Sequence, residues 1–173
     1  IGDKKNIFWI IDPIDGTTNF LHGIPHFAIS LALKKDNEII VGLIFDPIKN
    51  EIFYAEKDNG SFFNNNRMRV SNKPNIDECL FGTNNKGIKL IYPRLNLRNS
   101  GCAALDLAYV GCGRLDGYFH NKINIWDVAA GKIIIEEAGG KVNNIDEFNE
   151  NEINIRAASS NIYDKLLEKL NKF

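Results

Sequence analysis

The sequence predicts a layered α/β fold, an α+β sandwich in which an antiparallel sheet and helices share a core. Residues 1–72 alternate short apolar stretches with turn chemistry, the pattern of a meander. The later chain carries helical patterns, the clearest from Trp126 to Ala138 with Gly139-Gly140 as its stop. A length of 173 residues is enough for one sizeable core or two small ones. The net charge of −1 gives no electrostatic reason to expect nucleic acid or an anionic membrane as partner. No apolar run approaches the ~20 residues of a membrane-spanning helix. Cys79, Cys102 and Cys112 are odd in number and lack CxxC spacing, so neither a disulfide framework nor a zinc site is indicated, and a reducing cytoplasm is the expected location. The polar, Pro-containing stretch Ser71 to Glu78 marks the expected boundary between an antiparallel-sheet part, 1–72, and an α/β part, 73–173, which together form one compact unit.

Taken in order, Ile7 to Ile11 is bulky and β-prone without a polar interruption, which suits a strand covered on both faces and ended by Asp12-Pro13. Phe27, Ile29, Leu31 and Leu33 share one face of a second strand, with Ala28, Ser30 and Ala32 on the other. Lys35-Asp36-Asn37 turns into a third strand, Glu38 to Phe45, and Glu51 to Glu56 is a fourth. Asp58-Asn59-Gly60 and Asn64-Asn65-Asn66 are further turns around Ser61 to Phe63. Leu80 to Thr83 opens a new strand, while residues 84–99 are mixed, with Leu90-Ile91-Tyr92 between Gly87 and Pro93. Ala103 to Val110 reads as a helix with small residues on one side, and Leu115 to Phe119 as a short strand. After the helix at Trp126, Asn154 to Ala158 alternates as a last strand, and Ser160 is the expected cap of an amphipathic helix through Leu170.

The chemistry concentrates at Asp12 to Asn19. Pro13 interrupts the strand ladder and Gly16 permits a turn, so the Asp12 and Asp15 carboxylates can converge. Two close carboxylates repel unless a cation sits between them or one takes a proton, and hard divalent cations prefer oxygen ligands. Thr17, Thr18 and Asn19 supply cap-type side chains and backbone N–H groups suited to receiving a phosphate. The plainer reading of an isolated DPxD is a solvated Asx turn. The three-residue spacing with an intervening Pro does not fit a DxD phosphatase nucleophile, and the alternating ligands of an EF-hand are absent. Asp127 by itself would simply complement a helix dipole, with Trp126 as packing. His22, His26 and His120 lack metal-ligand spacing, Gly111-Cys112-Gly113 lacks the third glycine of a dinucleotide fingerprint, and Glu136 and Glu137 read as ordinary helix charges.

DPIDGTTNF resembles the first signature of the inositol monophosphatase family, the Mg2+-dependent, lithium-sensitive sugar phosphatases. WDVAAG, Trp126 to Gly131, resembles that family's WDxAAG signature, and His22 to Leu33, Gly101 to Val110 and Glu136 to Gly140 extend the likeness over nearly the whole chain. The resemblance implies the inositol monophosphatase and fructose-bisphosphatase fold. It implies hydrolysis of a small phosphate monoester, inositol 1-phosphate or a related polyol or sugar phosphate, by metal-activated water without a covalent phosphoenzyme, in a cytoplasmic homodimer. By the same resemblance Asp12, Asp15, Asp127 and the Ile14 carbonyl are Mg2+ ligands, and Thr17 orients the water. The N–H groups of Gly16 and Thr17 hold the phosphate, and Gly101, Cys102, Ala103 and His120 approach the substrate. His120 stands where relatives usually place Glu, which alters the contact to a substrate hydroxyl. In the family an upstream helical segment supplies a further Glu to the metal; the chain starts at Ile1 only a few residues before the first signature, so a truncated or processed chain is expected. The family's extragenic-suppressor branch, active in RNA-polymerase and ribosomal-RNA maturation contexts, implies the alternative of a non-catalytic binding protein. A nucleotide or fructose bisphosphate as substrate is a further alternative.

Overall fold

A computed structural model describes residues 6–85, 94–145 and 152–170. The reading of Leu90-Ile91-Tyr92 lies outside them. Six strands, β1 (Ile7–Asp15), β2 (Ala28–Lys35), β3 (Glu38–Asp46), β4 (Glu51–Glu56), β5 (Gly60–Phe63) and β6 (Asn66–Arg67), form an antiparallel sheet in sequence order, and a short helix α1 (Thr17–Leu21) follows β1. A second sheet has the order β10-β11-β9-β7-β8, from β7 (Leu80–Gly82), β8 (Asn96–Arg98), β9 (Gly117–Asn124), β10 (Gly140–Val142) and β11 (Glu152–Ser159). Helices α2 (Ala103–Gly111) and α3 (Ile125–Glu137) pack on each other between the sheets, and α4 (Tyr163–Leu170) packs on β11. This is the α+β sandwich that the sequence predicts.

The meander forms because its turns accept left-handed backbone where it is needed: Asp36, Asp58, Asn64 and Asn65 all take positive φ, which Asp and Asn tolerate better than other side chains. Helix α3 then lies across the inner face of the sheet, from β1 to β5. Its close approach explains which face of β2 is buried. Ala28, Ser30 and Ala32 are 0–1% exposed, while Ile29 is 36% exposed on the opposite side. The small residues admit the helix backbone; the large ones face outward. At Gly42 on β3 a Cβ would lie 2.6 Å from the Ala130 carbonyl oxygen, so helix and sheet meet there at backbone distance. Ile134 and Ile135 are fully buried from α3, each worth about 2 kcal/mol of apolar transfer. Beyond the second sheet, Phe81, Phe119, Ile162 and Leu166 close a smaller core under α4.

Several local expectations are corrected. Strand β1 is covered on one face only and sits at the sheet edge: Ile7, Trp9 and Ile11 are 51–56% exposed. It also runs past Asp12 to Asp15 by way of a bulge. β9 begins at Gly117 rather than Leu115 and runs to Asn124, while β8 and β10 escaped prediction because three residues are too few for a period. Ser160 does not cap α4; its hydroxyl donates to the Gly139 carbonyl at 2.6 Å. Trp126 is 38% exposed. Glu137 is no ordinary helix charge: its carboxylate accepts the Asp58 N–H at 2.9 Å and the Gly60 N–H at 2.8 Å, fastening the β4–β5 turn to α3. Glu137→Ala is expected to lower stability by about 2 kcal/mol, because two donors lose a charged acceptor. Urea denaturation checks this, and a midpoint matching the parent's would remove the fastening role.

Candidate metal centre

The bulge in β1 decides where its carboxylates point. In a regular strand Asp12 and Asp15, three apart, would face opposite ways. Here Asp12 pairs with Ser30 and Asp15 with Ala28, so three steps along β1 match two along β2. Ser30 and Ala28 both face α3, and the two carboxylates therefore do as well. Asp127 meets them from the third position of α3, where it accepts the Asn124 N–H at 3.3 Å. One carboxylate oxygen from each of Asp12, Asp15 and Asp127 lies within 4.8 Å of the others. Among the described residues this is the only group of His, Cys, Asp or Glu arranged to hold a metal ion. The Asx turn of the plainer reading is present too, with Asp12 Oδ1 accepting the Ile14 N–H at 2.9 Å; turn and cluster use one side chain for both purposes.

Asp15 is the buried member, 8% exposed. Its Oδ2 accepts the Ala104 N–H at 2.6 Å and the Cys102 thiol at 3.1 Å. Burial raises its pKa, the Asp12 charge adds to the rise, and the Cys102 and Ala104 hydrogen bonds oppose it. Burial also raises the Asp127 pKa, with Asp15 and Asp12 pushing the same way. A bound cation would offset the carboxylate repulsion and the cost of ionising these groups in a buried place. An all-oxygen set of three mutually repelling carboxylates fits a hard divalent cation.

The other expected residues fall nearby, with His120 set apart. Gly16, at φ 84°, turns the chain from β1 into α1, and a Cβ there would stand 3.1 Å from the His26 carbonyl oxygen. The Thr17 hydroxyl donates to the Ile14 carbonyl at 2.9 Å. Gly101, at φ 80°, and Cys102 lead into α2, whose first residue is Ala103, so this turn abuts Asp15 directly. His120 stands outside the carboxylate cluster on β9, its ring stacked on Tyr118 at 6.4 Å between centroids and its Nδ1 buried without a hydrogen-bond partner. Burial, with Arg156 assisting, lowers its pKa, so the imidazole is neutral at neutral pH. Cys79, Cys102 and Cys112 are unbridged thiols.

Three further residues belong to the surroundings of the site: sequence reasoning named Asn19 only as a cap-type side chain and did not single out Asp106 or Tyr118. Asn19 Nδ2 donates to the carbonyls of His26 at 2.8 Å and Ser100 at 2.9 Å, tying α1 to the turn before α2. Asp106 is 2% exposed on α2; burial pushes its carboxyl up to about 7, partly opposed by the Ser100 hydroxyl and increased by Asp15. Tyr118 is fully buried with its hydroxyl unpartnered among the described residues. An acid inside the apolar run AALDLAYV was the available signal for Asp106. Nothing in the local sequence marks Tyr118.

A profile described as the inositol monophosphatase family matches residues 1–172. The chain is 37% identical over 187 residues to an inositol-1-monophosphatase of Caulobacter vibrioides, covering 98% of this chain and 73% of that protein. It is 41% identical over 181 residues to a fructose-1,6-bisphosphatase/inositol-1-monophosphatase of Thermotoga maritima, covering 99% and 71%. Among solved structures, extragenic suppressor protein suhB from Bartonella henselae superposes with a TM-score of 0.88 at 43% identity, covering 99% of this chain and 75% of that one.

Proposed function

Because the chain belongs to the inositol monophosphatase family, we propose that it hydrolyses a small phosphate monoester, inositol 1-phosphate or a related polyol or sugar phosphate, with Mg2+ held by Asp12, Asp15, Asp127 and the Ile14 carbonyl. The observation that carries this reading is the meeting of three carboxylates from two remote segments within 4.8 Å. Bound there, the cation supplies Lewis-acid polarisation of phosphate and water oxygens. The chain's own groups position the reactants. Asp15 is kept in the cluster by the Ala104 N–H and the Cys102 thiol. The Thr17 hydroxyl, resting on the Ile14 carbonyl, is assigned to orienting the attacking water, and the N–H groups of Gly16 and Thr17 to the phosphate oxygens. Gly101, Cys102, Ala103 and His120 frame the alcohol part of the ester. The test is phosphate release from inositol 1-phosphate, fructose 1,6-bisphosphate and a nucleotide bisphosphate with Mg2+ and with chelator. Chelator-insensitive release, or none from any ester, counts against the reading. The likeness to an extragenic suppressor protein favours a second reading, in which the chain acts as a binding protein in RNA-polymerase or ribosomal-RNA maturation; silence on every ester despite Mg2+ binding would support it.

Cation affinity is expected to rise with pH. The sign follows from the raised pKa values of Asp15 and Asp127: between the ordinary carboxylate value and their own, the folded chain holds protons that a cation must displace. In the metal-free chain the same groups stabilise the fold less as they ionise, so stability falls as pH rises through that window. Calorimetric Mg2+ titrations at about pH 6 and about pH 8, in buffers of different ionisation enthalpy, should show tighter binding at the higher pH and proton release at the lower. Equal affinity with no proton release would remove Asp15 and Asp127 as ligands.

A further inference from the structure

Asp106 is an acid on the buried side of α2, where its buried neighbours along the helix are Ala, Leu, Val and Gly. It is 2% exposed, and its Oδ2 has no hydrogen-bond partner among the described residues. Oδ2 stands against Gly82 on β7, where a Cβ would come within 3.1 Å of it and 3.0 Å of the Tyr118 ring. The titratable groups that bear on it are Asp15 from β1, Cys102 at the entry to α2, and the Tyr118 hydroxyl from β9, itself without a partner. A charged carboxylate so placed is costly, which favours the neutral acid. The Ser100 side chain hydrogen-bonds this carboxyl.

Ser100 leads from Asp106 to the carboxylate cluster. Its hydroxyl oxygen accepts the Cys102 N–H at 3.2 Å and lies 3.3 Å from the Cys102 carbonyl oxygen, while its own carbonyl accepts Asn19 Nδ2 at 2.9 Å. A hydroxyl has one proton, so the Asp106 carboxyl and the Cys102 carbonyl compete for it. The Cys102 turn then presents its thiol and the Ala104 N–H to Asp15 Oδ2, at 3.1 Å and 2.6 Å. We propose that Asp106 is a positioning residue: by holding the Ser100 hydroxyl it fixes the Cys102 turn, and through that turn the Asp15 carboxylate, in the orientation that receives the cation. This rests on the reading of Asp15 as a cation ligand. Hydrogen-bond partners of a ligating carboxylate set its orientation, and losing one typically costs ~10–100-fold in metal affinity. Asp106 acts one link further back, so its effect belongs at the lower end of that range.

Ala104 offers a direct readout. It lies in the first turn of α2, where a backbone N–H has no acceptor within the helix, so its protection from hydrogen exchange depends on Asp15. The test is amide exchange followed by nuclear magnetic resonance without metal, at about pH 6, below the value of about 7 to which burial pushes the Asp106 carboxyl. The chains compared are the parent, Asp106→Leu, Ser100→Ala, the two changes combined, and Asp106→Asn. Ala104 exchange is expected to rise about tenfold in the first three variants, with the combined chain no faster than either alone, because both changes break one connection. Asp106→Asn should keep the parent rate, since an amide oxygen takes the Ser100 proton as the neutral acid does. Val110 and Gly111, at the far end of α2, should keep their rates throughout. Calorimetric Mg2+ dissociation constants should follow the same order, about tenfold weaker where Ala104 is freed. Parent-like Ala104 exchange in Asp106→Leu, an Asn variant as fast as the Leu variant, additive effects in the combined chain, or equal acceleration along all of α2 would each overturn the proposal. A parent that binds no Mg2+ would overturn the cation reading instead, and the exchange pattern would still decide whether Asp106 orders the turn. If Asp106→Leu does not fold, Asp106→Ala takes its place.

Discussion

Asp15→Asn is expected to abolish metal-dependent phosphate release while leaving the fold intact. The amide oxygen can still accept the Ala104 N–H, which Asp15 Oδ2 receives at 2.6 Å, so the contact between β1 and the start of α2 survives. What disappears is one charge of the three-carboxylate cluster. With chelator present the variant should therefore melt at or above the parent temperature, since repulsion from Asp12 and Asp127 is relieved. With Mg2+ the order should reverse, because only the parent gains from a ligand bound by the folded state. Turnover should fall on the order of a hundredfold or more, the scale of removing a preorganised electrostatic element. Melting curves in both conditions, read beside phosphate release, separate the outcomes. Parent-like turnover would take Asp15 out of the reaction, and loss of folding in chelator would show it to be structural.

The second large effect belongs to a residue with no chemistry. Gly42→Ala places a methyl group 2.6 Å from the Ala130 carbonyl oxygen and 2.6 Å from the Ile133 Cγ2 atom. The carbonyl belongs to helix backbone and cannot rotate away, so α3 must lift from the sheet at a cost of about 3 kcal/mol. Since α3 carries Asp127 at its start, the lift should also draw that carboxylate away from Asp12 and Asp15 and weaken Mg2+ binding. Denaturant titration measures the first consequence and calorimetry the second. A destabilised variant with unchanged affinity would show that the start of α3 holds its place independently of its middle.

Much of this was legible because local chemistry dictates it. The turns at Asp36, Asp58 and Asn64 declared themselves by residue type, and Gly139, at φ 88°, ends α3 as a terminal glycine should. The meeting of Asp12 and Asp15 was legible in outcome, although its cause is a bulge rather than a strand end. The exposure of Ile7, Trp9 and Ile11 was not legible, because an apolar run states a preference for burial and says nothing about which neighbours cover it. The double role of Glu137 was also hidden. Its partners, the Asp58 and Gly60 N–H groups, are remote in sequence, and no local pattern reports a long-range hydrogen bond.

A strand that is apolar on both sides carries little information about its own alignment. If β1 slid by one residue along β2, Phe8 and Ile10 would exchange places with Trp9 and Ile11 at small loss of buried area, while Asp12 would turn away from α3. What opposes the slip is the irregular end of the strand: Pro13 lacks a ladder donor, and the extra residue between Asp12 and Asp15 fits beside Ser30 and Ala28 in one way only. Such a strand has two alignments of similar hydrophobic content open to it, and only one assembles the carboxylates. A divalent cation present during refolding would reward that alignment alone, making the metal a proofreader of strand register.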